Sequence, residues 1–112
     1  IQASLFGFFI GDALGVPVEF QSREKLERKK VTKMKGYGTH NQPKGTWSDD
    51  SSMVLATIDG LIQSNGYNIN YQAIMSNFLK WKSRGEFTPF NYVFDIGNAT
   101  NNALIVYQQK VA

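Results

Sequence analysis

Residues 45–62, GTWSDDSSMVLATIDGLI, begin with two adjacent aspartates and continue into an apolar stretch with helical spacing. This spacing predicts an amphipathic helix over residues 50–64. Its apolar stripe consists of Met53, Val54, Ile58, Leu61 and Ile62. Ser48 or Asp49 can cap the helix by accepting hydrogen bonds from its first N–H groups. Alternatively, a divalent cation can bind both Asp49 and Asp50 and remove their repulsion. Taken alone, the stretch favours the helix cap.

The rest of the chain also predicts helices and shows no alternation typical of strands, so we expect an all-α, compact multi-helix fold. The predicted helices cover residues 2–14, 22–30, 50–64, 70–83 and 99–112. The first is apolar on most of its circumference, which predicts that it is buried, with Gly7 and Gly11 spaced for close packing. The helix that starts at Asn70 is expected to bury Ile74, Phe78, Leu79 and Trp81.

Two features of the segments between the helices are also informative. Pro17 is expected to push the preceding Val16 out of the helical region and so to end the first helix. Residues 36–47 carry three glycines and a proline without periodicity, which predicts a loop. His40 lies in this loop, and we interpret it as a surface residue and not as a general base.

Composition restricts the partners and the compartment. Residues 23–35, REKLERKKVTKMK, hold seven basic and two acidic residues. Because no aromatic residue is interleaved with them, we interpret the block as a solvated surface and expect no nucleic-acid partner. No apolar run is long enough to span a bilayer, so no membrane partner is expected. The chain has no cysteine, which favours a reducing, cytoplasmic location.

Three segments combine acidic residues with small residues near the ends of predicted helices. They are GDALGVPVEF at 11–20, GTWSDDSSM at 45–53 and FDIGNATNNAL at 94–104. In this order they resemble the ADP-ribosylglycohydrolase family, which includes the dinitrogenase reductase-activating glycohydrolases. That family typically has a G-D-A-x-G segment followed by an acid, then a (T/S)-D-D-(T/S) motif, then D-x-G before a helix. The resemblance extends over about residues 7–104.

The resemblance implies an all-α enzyme that binds two divalent ions, Mg²⁺ or Mn²⁺. Members hydrolyse the bond between the terminal ribose of ADP-ribose and a protein side chain or a related acceptor. The implied metal ligands are Ser48, Asp49 and Asp50. The implied catalytic acids are Glu19, which in some members reaches the metal centre or gates substrate entry, and Asp95, which lies near the ribose. The implied substrate contacts are Gly97, Asn98 and Thr100.

With this resemblance, metal binding becomes favoured over plain capping, and one helix start can serve both. We expect Glu19, Asp49, Asp50 and Asp95 to converge on one cleft, because their surroundings are otherwise apolar and unpartnered buried carboxylates are costly. Asp12 has two possible roles: it can touch metal, or it can tie neighbouring backbone together.

One departure from the family pattern is large, because residues 54–112 contain no match to its second acidic motif, D-x-D-(T/S). We therefore expect residues 1–112 to be the truncated N-terminal part of a single domain. The leading hypothesis is a metal-dependent hydrolase acting on an ADP-ribosylated protein or a small ADP-ribose conjugate. The alternative is a catalytically inactive relative with a structural or ADP-ribose-binding role. For the chain alone we expect weak metal binding, no turnover, and self-association through exposed apolar surface.

Overall fold

A computed structural model of the chain describes residues 1–112. The chain folds into five α-helices without a strand, which confirms the all-α prediction. The helices are α1 (Gln2–Gly15), α2 (Arg23–Arg28), α3 (Asp49–Ile62), α4 (Tyr71–Arg84) and α5 (Asn98–Val111). The chain forms two compact units, Ile1–Ser51 and Ser52–Ala112.

None of the five helices combines the length and the apolar character that a membrane span requires.

Helix α1 has the predicted extent but not the predicted burial. Phe6, Phe8 and Ile10 are all exposed, and Ala13 is the buried residue of this helix. The expected close packing at Gly7 and Gly11 is also wrong, because a Cβ added at either position would have nothing within 4 Å. The apolar circumference of α1 is therefore largely a surface.

The chain leaves α1 through a 3₁₀ turn, Val16–Val18. The expectation for Val16 is wrong, since its φ of −51° and ψ of −49° are helical. Pro17 fits because it stands in the first turn of a new 3₁₀ segment, where a missing N–H leaves no hydrogen bond unmade. The direction changes at Glu19, whose ψ of 142° is extended.

Helix α2 and the long loop complete the first unit. The Ser22 side chain accepts a hydrogen bond from the Lys25 N–H at 3.2 Å and caps α2, as predicted. Within the predicted loop, residues Gly38–His40 form a second 3₁₀ turn, which packs against Val16–Val18. This contact brings the loop next to the C-terminal end of α1.

Helix α3 begins at the two aspartates and ends at Ile62, close to the predicted range. Its buried positions differ from the predicted stripe: Ser52, Ala56 and Gly60 are buried, whereas Leu61 and Ile62 are exposed. These three small residues are spaced four apart and so share one face of the helix. A Cβ at Gly60 would lie 2.5 Å from Ile74 Cγ1, so α4 approaches this face closely.

Helix α4 is capped at both ends by the residues that the sequence provides for it. The Asn70 side chain accepts from the Ala73 N–H at 3.0 Å, and Gly85 ends the helix in the left-handed conformation. Trp81 is 1% exposed, as expected, but Ile74, Phe78 and Leu79 are only half-buried.

A buried amide joins α3 and α4. Asn77 is 3% exposed, and its Nδ2 donates to the Ala56 carbonyl at 3.0 Å and to Asp59 Oδ2 at 2.9 Å. The Ser52 hydroxyl donates to the Phe87 carbonyl at 2.9 Å and so ties α3 to the loop after α4. Leu104 of α5 is 2% exposed, and α5 packs against α4. The second unit therefore combines a small apolar core with buried, satisfied polar groups.

Candidate functional site

An acidic cleft of about 510 Å³ lies in the first unit. It is formed by one face of α1, the Val16–Val18 turn and the beginning of α3. Its lining residues are Gly7, Phe8, Gly11, Asp12, Gly15, Val16, Glu19, Ser48, Asp49 and Asp50. Glu19, Asp49 and Asp50 thus share one cleft, as expected from the sequence.

Asp12 of α1 fixes the start of α3. Its Oδ2 accepts from the backbone N–H groups of Ser48 and Ser51, at 2.9 and 3.2 Å. The two serine hydroxyls donate to the same carboxylate, Ser48 to Oδ1 and Ser51 to Oδ2, each at 2.5 Å. These bonds are charge-assisted, so they are stronger than neutral hydrogen bonds. Of the two roles considered for Asp12, the structure shows that it ties neighbouring backbone.

The cap of α3 therefore differs from the simple prediction. Ser48 does not cap the helix as an acceptor; its hydroxyl and its N–H both donate to Asp12. Asp49 Oδ1 accepts from the Asp50 N–H at 3.1 Å, which satisfies one N–H of the first turn. Because Asp12 performs most of the capping, the side chains of Asp49 and Asp50 line the cleft.

The carboxylates of the cleft influence one another. Desolvation by partial burial raises the pKa of Asp50 above its ordinary value of 3.8, and the neighbouring charges of Asp49, Asp12 and Glu19 raise it further. None of the ion pairs in the structure involves Asp49 or Asp50. The site therefore concentrates negative charge that no side chain neutralises, an arrangement that attracts a cation.

Glu19 meets an unexpected partner at the edge of the cleft. The Nε2 atom of His40 lies 3.1 Å from Glu19 Oε2, and the His40 side chain is only 11% exposed. The interpretation of His40 as a surface residue is therefore wrong. The sequence gave no local sign of this contact, because the two residues are 21 positions apart.

Asp95, Gly97, Asn98 and Thr100 belong to the second unit, at and just before the beginning of α5. Asp95 is half-buried in the loop that precedes the helix. Gly97 occupies the N-cap position of α5, and no side chain accepts a hydrogen bond there. The catalytic role of Asp95 and its place in the same cleft as Glu19 stay predictions.

The sequence contained one signal of the cleft that was interpreted differently. Gly7, Gly11 and Gly15 recur every four residues along α1 and all line the cleft. Glycines at this spacing share one helix face, and without side chains they leave open space. Ser51 was not singled out either, although its position after the aspartates makes it a second donor to Asp12.

Comparison with known proteins agrees with the motifs. The model of the ADP-ribosylglycohydrolase family matches residues 1–112. A relative named ADP-ribosylarginine hydrolase Tri1, from Serratia proteamaculans (strain 568), is 36% identical over 106 residues, or 95% of this chain and 28% of the relative. A relative of the same name from Pseudomonas putida (strain GB-1) is 36% identical over 103 residues, or 92% of this chain and 26% of the relative. The chain thus spans little more than a quarter of the length of these relatives.

Proposed function

Because this chain belongs to the ADP-ribosylglycohydrolase family, we propose that it provides the first part of the active site of a metal-dependent hydrolase. The substrate is a protein that carries ADP-ribose on an arginine side chain. Arginine is chosen as the acceptor because both relatives are named ADP-ribosylarginine hydrolase. The observation that carries the proposal is the cleft in which Asp49, Asp50 and Glu19 stand together.

The chemistry of the cleft fits a divalent cation. Carboxylate and hydroxyl oxygens are the ligands that Mg²⁺ and Mn²⁺ prefer, and Asp49, Asp50 and Ser48 offer them at the start of one helix. The raised pKa of Asp50 supports this fit, because a bound cation would relieve the repulsion that opposes its ionisation. A divalent ion bound there supplies Lewis acidity, which orients ribose hydroxyls and makes a bound water more acidic.

The remaining acids are assigned to the ribose. As the bond from the anomeric carbon to the guanidinium nitrogen breaks, positive charge develops on the ribose, and carboxylates nearby stabilise it. We assign this role to Asp95 and Glu19. Water then adds its oxygen to the anomeric carbon, and a proton from that water restores the guanidinium of the released arginine.

The beginning of α5 is assigned to the ADP moiety. The first N–H groups of a helix have no partners within it, and they carry the positive end of the helix dipole. Helix α5 has 14 residues, and no side chain caps it at Gly97. Gly97, Asn98 and Thr100 are therefore proposed to contact ADP-ribose, with the backbone N–H groups directed at the pyrophosphate.

Titration with Mn²⁺, followed by electron paramagnetic resonance, tests the metal site. We expect Asp49→Asn and Asp50→Asn each to weaken Mn²⁺ binding by at least tenfold, because each removes a charged ligand. Glu27→Gln is the matched control, since it removes one negative charge from an exposed position on α2 in the same unit. Equal losses in all three variants would mean that general charge, and not a site, attracts the ion.

The activity is tested in a chimaera, because the chain spans only part of its relatives. Residues 1–112 replace the matching segment of the Serratia proteamaculans relative, and release of ADP-ribose from ADP-ribosylated arginine is measured. We expect turnover that Asp49→Asn reduces by at least a hundredfold. A folded chimaera without turnover, beside an active parent, would contradict the proposal.

A further inference from the structure

We propose that His40 is a positioning residue that holds the Glu19 carboxylate at the cleft; this inference rests on the function proposed above. A carboxylate accepts hydrogen bonds, so the imidazole donates from Nε2 to Glu19 Oε2 across 3.1 Å. The two side chains differ in exposure, with 11% for His40 and 38% for Glu19. The imidazole is thus held within the protein, while the carboxylate it contacts remains accessible in the cleft.

The backbone around His40 is tied to the backbone around Glu19. The Thr39 hydroxyl lies 2.6 Å from the Glu19 carbonyl oxygen and 3.3 Å from the Pro17 carbonyl oxygen, and both can accept from it. Gly38 approaches so closely that a Cβ there would overlap the Pro17 carbonyl, and its φ is +61°. Only glycine satisfies both conditions without strain. The Gly38–His40 turn is therefore docked on the segment that ends at Glu19.

Backbone strain is concentrated around the pair. Phe20, next to Glu19, has a φ of +66°, and Tyr37 and Asn41, on either side of the Gly38–His40 turn, have φ values of +63° and +51°. Non-glycine residues adopt this left-handed region at a cost, and they stay there only where surrounding contacts determine the conformation. Such strain is common beside functional groups that must be held in one orientation.

Packing fixes the orientation of the imidazole. The Phe20 ring meets the His40 ring edge to face, with 5.8 Å between centroids and 65° between planes. With His40 on Oε2, the carboxylate keeps its second oxygen for the cleft that Glu19 lines. A glutamate has several rotatable bonds, so an ordered carboxylate loses less side-chain entropy when it engages a cation or a hydroxyl. His40 therefore acts through Glu19 and not by touching the substrate.

The first experiment measures the position of Glu19 in the metal-free chain. His40→Gln keeps a side-chain N–H donor, whereas His40→Phe keeps a ring against Phe20 and removes the donor. We expect NMR scalar couplings of the Glu19 side chain to show one dominant rotamer in the unsubstituted chain and in His40→Gln, and rotamer averaging in His40→Phe. Identical couplings in all three chains would overturn the inference.

The second experiment is a double-mutant cycle read by Mn²⁺ affinity. We expect His40→Phe to weaken Mn²⁺ binding by about threefold to tenfold, and to have no effect when Glu19→Gln is already present. Equal effects in both backgrounds would show that His40 is merely structural and overturn the inference. If the unsubstituted chain binds no Mn²⁺ but the Glu19 couplings depend on His40 as expected, the proposed metal site fails while the positioning role stands.

Discussion

Asp12 is the residue on which the start of α3 depends. One carboxylate receives two backbone N–H groups and two hydroxyls from Ser48 and Ser51. Capping from another helix leaves the acids of the motif itself, Asp49 and Asp50, available to the cleft. The repulsion between the two aspartates is thus compatible with a well-capped helix, because a third carboxylate does the capping.

Replacement of this carboxylate has a large expected effect on stability. Asp12→Ala leaves the N–H groups of Ser48 and Ser51 without their acceptor, and we expect the free energy of unfolding to fall by about 2–4 kcal/mol. Urea unfolding followed by circular dichroism measures it. Asp12→Asn keeps one acceptor oxygen and should lose less. A loss below about 1 kcal/mol in Asp12→Ala would mean that solvent replaces the cap.

Asp50 gives a pH dependence with a defined sign. Its pKa in the folded chain is raised above 3.8, so the folded state binds this proton more tightly than the unfolded state does. Ionised Asp50 therefore opposes folding at neutral pH, and this opposition disappears as the pH falls through the raised pKa towards 3.8. We expect Asp50→Asn to raise the unfolding midpoint of the metal-free chain at neutral pH.

The difference between Asp50→Asn and the parent should shrink on acidification through that range. Urea unfolding in the presence of a chelator, repeated at several pH values, measures it. Glu27→Gln, at an exposed position, provides the reference for loss of one charge. A difference that grows on acidification would contradict the assignment of the raised pKa to Asp50.

Among the elements, α3 shows how helix packing depends on size. Ser52, Ala56 and Gly60 form its buried face, and Gly60 lies against Ile74 of α4. The absence of side chains larger than serine allows the backbones to approach. The Asn77 amide can then reach the Ala56 carbonyl, which a larger spacing would prevent.

Two glycine substitutions should therefore have opposite effects. In Gly60→Ala the new Cβ would lie 2.5 Å from Ile74 Cγ1 and 2.9 Å from Ile74 Cα, so we expect a net loss of about 1–2 kcal/mol. In Gly11→Ala nothing lies within 4 Å, and the better helix propensity should add about 0.5–1 kcal/mol. Chemical unfolding of both variants measures the contrast, and a stabilising Gly60→Ala would contradict the close approach.

At the scale of the whole chain, exposed apolar surface is extensive. Phe6 and Ile10 of α1 are 56% and 51% exposed, and Val106 and Val111 of α5 are 50% and 57% exposed. Phe6 and Ile10 are four residues apart, so they lie on one face of α1. Apolar surface of this kind favours association with a partner or with another copy of the chain.

We expect sedimentation velocity to show association of the chain that increases with concentration. The double variant Phe6→Ser with Ile10→Ser should reduce it, because the substitutions remove large side chains from one exposed face. Tyr67→Ser is the control, since Tyr67 is fully exposed but lies in a turn outside the helices. A monomer at every concentration, or an equal effect of Tyr67→Ser, would contradict this prediction.

The sequence by itself determined where the helices lie and which motifs they carry. Periodicity, the caps at Ser22 and Asn70, and glycine at position 85 are local features, and local hydrogen bonds and sterics act on them directly. The motif around Asp49 and Asp50 was sufficient to identify the family, because the order of three short segments is itself a property of the sequence.

The tertiary structure alone decided which side chains these elements bring together. The cap from Asp12 spans 36 residues to Ser48, and His40 reaches Glu19 across 21. Apolar periodicity predicted burial for Phe6 and for Ile62, yet both are exposed, while the small Ala56 and Gly60 are buried. Burial depends on what packs against a face, and a close approach of helices selects small residues where hydropathy alone would choose large ones.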